Sequence, residues 1–206
     1  MRDAVPFRRS ARNALNVKRR NSAMPLPAPS ARKEIHHRVI DMRAYARDDG
    51  LYDVEAHLVD RKPFEFKRIN SPVPLAAGQP LHDLWIRLSI DEEYVVQAIH
   101  AASDVTPYPL CKEAESTLRV LIGERIASGW SIKVKERLRG AASCTHLMEM
   151  LIPMATTAYQ GIRALQRQRS PDSRAQRPLA QLDSCYAYSR KRDVVRMFWP
   201  EHYQPS

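Results

Sequence analysis

Tyr52-Asp53-Val54-Glu55-Ala56-His57-Leu58 alternates apolar and polar side chains without a break, the period of a strand with one buried face. Asp48-Asp49-Gly50 stands just before it and reads as a short hairpin turn. On the far side of that turn, Val39 and the even-numbered Ile40, Met42, Ala44 and Ala46 supply a partner strand. Pro63 ends the return strand, and residues 71–80, with three prolines and Gly78, read as a loop. A second hairpin follows. Leu84, Ile86, Leu88 and Ile90 alternate with Trp85, Arg87 and Ser89; Asp91-Glu92-Glu93 turns the chain, and Val95 to Ala102 returns. Two hairpins in succession predict an antiparallel meander of about four strands with one face to cover.

Helical patterns come next. Ala114, Leu118, Leu121 and Ile122 fall on one face up to Gly123, a C-terminal stop signal. Trp130, Val134 and Leu138 mark a second, short helix ended by Gly140. The third starts near Ser143 and carries Leu147, Met150, Leu151, Met154, Ala158, Ile162 and Leu165 on its apolar side. Pro153 lies inside it and predicts a kink. Strands first and helices afterwards give an α+β fold, the sheet covered by three helices. Residues 167–180 form a basic, polar linker. Beyond it, Cys185-Tyr186-Ala187-Tyr188 and Val194 to Trp199 flank Arg190-Lys191-Arg192-Asp193, which predicts a C-terminal β-hairpin over 181–206 packing on a core domain of 35–166.

The chain has 206 residues, long enough for one domain with a real core. Three cysteines are an odd number, and no apolar run resembles a signal peptide or membrane span. The expectation is a reduced, cytoplasmic protein without a membrane partner. Seven basic residues and one acid precede Met24, so more than half of the net charge of +10 sits there. Residues 1–34 read as a disordered basic tail. Such an arm can contact nucleic acid without sequence preference. Met24 would serve equally well as a chain start, which makes residues 1–23 a mis-called extension on the other reading. Arg163, Arg167, Arg169, Arg174 and Arg177 extend the basic character, but no nucleic-acid motif accompanies them.

Chemistry concentrates at Cys144-Thr145-His146-Leu147-Met148-Glu149, where the longest helix begins. Partial positive charge at a helix N-terminus favours thiolate. Cys111, Cys144 and His146, completed by Cys185, His82 or Asp83, would supply the soft donor set that zinc or iron prefers. With no paired CxxC or HxxxH spacing, these ligands would have to converge from separate elements. Cys111 and Cys185 read alternatively as small buried hydrophobes, and His82-Asp83 either as a ligand with its orienting carboxylate or as a solvated loop pair. A second class of reaction is covalent catalysis by Cys144 with His146 as base. Residues two apart on a helix point about 200° away from each other, so this requires Cys144 to precede the first turn. Glu149, one turn beyond His146, could orient that ring or act as acid or base. Asp53, Glu55 and His57, with His37 across the hairpin, read as an exposed polar face.

Several ordered blocks together resemble family 2889 of the bacterial domains of unknown function: Pro25 to Pro29, His36-His37-Arg38, Arg47 to Glu55, Leu58-Val59-Asp60, Leu81 to Leu88, Cys144 to Leu147 and Met154 to Ala158. The resemblance spans about residues 24 to 203 and implies no secure biochemical activity. A more distant resemblance is to the NifU/IscU-type iron–sulfur scaffold fold, which holds three cysteines, an aspartate and a histidine around one exposed cluster. It implies that Asp83 matches the scaffold's aspartate, Cys111 its middle cysteine and Cys144 its last. No cysteine stands at 81 or 82, and His146 follows its cysteine where the scaffold's histidine precedes it. The function expected from all this is metal binding, to zinc, iron or an iron–sulfur cluster. A cysteine-dependent small-molecule enzyme and a module acting through its basic tail are the alternatives.

Overall fold

The alternating stretch is the second strand of a four-stranded meander. In the computed structural model, which describes residues 26–69, 71–169 and 181–205, the strands are β1 (His37–Ala46), β2 (Tyr52–Arg61), β3 (Pro80–Ile90) and β4 (Val96–Val105). They pair antiparallel in the order β1-β2-β3-β4. Two units are distinguished, Met1–Lys33 and Glu34–Ser206. Of the first, residues 26–33 are described, as exposed irregular chain. The basic arm before Met24, linker residues 170–180 and the side chain of Arg167 lie outside the described residues.

Alternation converts directly into burial. Tyr52, Val54, Ala56 and Leu58 of β2 and Leu84, Ile86, Leu88 and Ile90 of β3 are buried on one face. A 3₁₀ segment (Pro109–Leu121), α1 (Trp130–Leu138) and α2 (Thr145–Arg169) follow the sheet in the chain. Leu118, Leu121, Val134, Leu138, Leu147, Met150, Leu151, Met154, Ala158 and Ile162 complete a single core with the strand residues. The first helical pattern takes the tighter 3₁₀ form, and the Ser116 and Thr117 hydroxyls donate to carbonyls three residues back, those of Glu113 and Ala114. Trp130 Nε1 donates to the Leu151 carbonyl at 2.9 Å, which joins α1 to α2 inside the core. Helix α2 continues through Pro153.

Two boundaries differ from the sequence reading. Strand β3 begins at Pro80, so His82 and Asp83 lie on a strand and not in a loop. The C-terminal hairpin is not formed. Residues 181–192 make turns, and Asp193–Phe198 is a short helix, α3. Val194 and Val195 suggested a strand, but Asp193 in the first helical turn pairs with Arg196 at 2.9 Å and favours the helix. Only Val195 of that helix is buried. Among the described residues no helix is long and apolar enough to cross a membrane.

Helix α2 packs on β1 through its smallest residue. A Cβ added at Gly161 would lie 3.1 Å from Cβ of Ala44, tighter than ordinary contact. Gly161→Val is therefore expected to destabilise the protein by about 1–3 kcal/mol through overpacking. Urea unfolding would read this as a lower midpoint at unchanged slope; an unchanged midpoint would mean that helix and strand separate freely there.

Candidate functional site

The apolar row of β2 runs Tyr52, Val54, Ala56, Leu58 and then Asp60, which is 1% exposed. A carboxylate in a core row must find partners, because burying it alone costs several kcal/mol. The strand register provides them. Arg38 of β1 and His82 of β3 stand directly opposite Asp60 on either side, so the three side chains share the helix-covered face. The Arg38 guanidinium grips both carboxylate oxygens, Nε to Oδ1 and Nη2 to Oδ2, each at 2.7 Å. His82 Nδ1 lies 3.0 Å from Oδ2, and His36 Nε2 lies 3.2 Å from Oδ1.

The start of α2 closes this end of the sheet. His146 Nε2 approaches Asp60 Oδ2 to 3.9 Å, and the His146 and His82 rings lie 4.0 Å apart between centroids. Three of the seven histidines thus converge on one carboxylate. A ligand atom from each of Asp60, His82 and His146 lies within 4.8 Å of the other two. Cys144 precedes the first turn of α2, in the capping position. Its sulfur lies 3.8 Å from His146 Nδ1, beside the first backbone N–H groups of the helix. Glu149 is exposed and reaches Arg38 Nη1 at 3.9 Å.

These contacts set the protonation states. Burial pushes the Asp60 carboxyl up, but the hydrogen bonds and charge of Arg38, with His82 and His36, outweigh it and hold the group at about 2. Burial, then the neighbouring His146, pushes the His82 imidazole down, which Asp60 only partly offsets. A neutral imidazole with a carboxylate on one nitrogen is the form in which histidine binds metals. Burial raises the Cys144 thiol, yet the bonds from His146 and the helix N-terminus prevail and leave it below its ordinary value.

Of the residues singled out in the sequence, His82, Cys144, His146 and Glu149 gather here. Cys111 is half-buried in the 3₁₀ segment and Cys185 is exposed in the C-terminal turns. Among the described residues no cysteine joins a group of three mutually close ligand atoms. Asp83 departs for a geometric reason: neighbours on a strand point to opposite faces. It meets His57 Nε2 at 2.7 Å on the open face, where His57 stacks on Trp85 with centroids 3.6 Å apart. Asp60, Arg38 and His36 were not identified from the sequence as site residues. The signal was the acid at position 60, in register with four apolar residues. Arg163 and Arg169 bond to Tyr159 and Glu92, the pattern of a solvated helix end.

The fold and site describe an α+β protein with a buried carboxylate ringed by histidines where its sheet meets its longest helix. Over residues 36–160, more than half of the chain, the sequence matches the family described as "Protein of unknown function (DUF2889)", and the chain belongs to that family. The matched span includes His36, Arg38, Asp60, His82, Cys144, His146 and Glu149. No curated protein and no solved structure matches the chain, so the likeness to iron–sulfur scaffolds has no counterpart there.

Asp60 ionises more readily folded than unfolded. Its stabilising contribution is fully present above its ordinary value near 4 and is lost as pH falls towards about 2. In chelator-treated protein, the stability gap between wild type and Asp60→Asn is expected to narrow by about 2 kcal/mol across that window. Denaturant titrations at stepped pH measure it, and a constant gap would contradict the assignment.

Proposed function

We propose that this protein binds a divalent transition metal, zinc or iron, through Asp60, His82 and His146, with the Cys144 thiolate as the anionic ligand. The observation that carries the reading is the convergence of those three donors from β2, β3 and α2 to within 4.8 Å. Charge balance supports the cysteine. Arg38 already neutralises Asp60, so a divalent cation needs another anion, and Cys144 is a half-buried thiol beside His146 whose ionisation is favoured. Two imidazoles and a carboxylate are donors that suit zinc or ferrous iron, and Cys144, beside the other nitrogen of His146, would complete a four-donor set once that side chain turns towards the ion. Cys111, Cys185 and Asp83 take no part in this site, nor is a cluster scaffold needed for it.

A second reading rests on one specific observation. Cys144 lies before the first turn, which satisfies the condition under which it and His146 can meet. In metal-free protein the pair would act as nucleophile and base, with Asp60 holding the far side of the imidazole.

Elemental analysis of anaerobically purified protein tests the metal reading. Near-stoichiometric zinc or iron is expected in the wild type and in His57→Ala and Cys185→Ser. Occupancy should fall at least about tenfold in His82→Ala, His146→Ala and Cys144→Ser, since each removes a direct ligand. Metal-free wild type, or equal occupancy throughout, would overturn it. Selective iodoacetamide labelling of Cys144 in such metal-free protein would then favour the thiol reading.

A further inference from the structure

The two edges of the sheet are treated differently. At β4, the segment after the 3₁₀ helix adds hydrogen bonds: Val96 N to the Glu124 carbonyl at 3.0 Å and Gly123 N to the Val96 carbonyl at 2.8 Å. Val95 and Arg125 form a bridge beside it. Among the described residues nothing pairs with the outer edge of β1. That strand is ten residues long, has no bulge against β2 and contains no proline, glycine or lysine. Bulges, prolines and lysines are among the devices by which proteins blunt a free edge; the charges that β1 does carry are Arg38, turned inward onto Asp60, and the Asp41–Arg43 pair. It also exposes Val39 and Ile40 at 42% each and Tyr45 at 43%.

We propose that β1 pairs antiparallel with β1 of a second copy, joining two sheets into one of eight strands about a two-fold axis at Met42. The register follows from side-chain complementarity. An axis at Met42 sets Asp41 opposite Arg43 of the other copy, twice, and Val39 opposite Tyr45, also twice. Ile40 faces Ala44 on the helix-covered side. Moving the axis by one residue to Asp41 or Arg43 sets like charges directly opposite each other, which is destabilising. Within one chain Asp41 and Arg43 already pair at 2.6 Å between Oδ2 and Nη2, in the open on the uncovered face. In the dimer the four charges form an alternating ring, and the symmetric edge is closed to further addition. This contact involves none of the donors of the metal site and stands independently of that reading.

The experiment is sedimentation velocity on the full chain from low to high micromolar concentration. Wild type is expected to be a dimer. Asp41→Arg places four arginines around the axis and should weaken the dimer at least about tenfold. Asp41→Arg combined with Arg43→Asp regenerates the same complementarity and should recover it. Circular dichroism checks that each variant is folded. A wild type that is monomeric throughout, an Asp41→Arg protein that dimerises as wild type does, or a folded double variant that remains monomeric would each overturn the proposal.

Discussion

The bidentate contact between Arg38 and Asp60 is the constraint on which this end of the molecule depends. It ties β1 to β2 at the last pairs of their ladder and neutralises the one acidic side chain in the core row of β2. It also turns that carboxylate so that its remaining lone pairs face His36 and His82. Buried ion pairs rarely stabilise more than an apolar replacement of similar size, whereas removing one partner typically costs about 3–5 kcal/mol. A leucine at position 60 would have continued the apolar row at no such risk. The pair is therefore poor value as a fold stabiliser, and its worth lies in what it positions.

Sequence patterning revealed most of the architecture because one period governs it. Apolar residues at even positions from 52 to 58 and from 84 to 90 place two central strands, their common buried face and their antiparallel order. Glycines at 123 and 140 both take positive φ, +83° and +66°, where stops were expected. The errors fall where periodicity is silent. Pro80, Leu81, His82 and Asp83 carry no alternation that separates strand from loop, and pairing with Arg61 and Asp60 decides the matter. In the C-terminal segment, β-branched Val194 and Val195 competed with a first-turn aspartate over six residues, too few for a period to emerge.

The site was half legible for a related reason. Cys144 and His146 announce themselves by chemistry near a helix start, and His82 by being a histidine before a strand. Asp60 looks like any surface aspartate until its parity is counted along β2. His36 and Arg38 become meaningful only once the β1–β2 register sets Arg38 opposite Asp60. Tertiary pairing, absent from any local window, sets Asp60 and not Asp83 beside His82 and His146. The adjacent Asp83 joined His57 across the sheet because a single residue step along a strand reverses the face.

The surroundings of Asp60 exceed what a structural ion pair requires. Arg38 alone supplies two short charge-assisted hydrogen bonds, enough to hold a buried carboxylate in its ionised form. Three imidazoles surround it as well, and the proximity of His146 works against protonation of His82. Placing Cys144 at the positive end of α2 adds a group biased towards negative charge beside those rings. A purely structural cluster would spread cations over the carboxylate. This one disfavours the charged form of the His82 imidazole and favours that of the Cys144 thiol, at the junction of two strands and a helix. Imidazole nitrogen and thiolate sulfur are electron-pair donors, which is why the metal-binding proposal rests on this corner of the molecule.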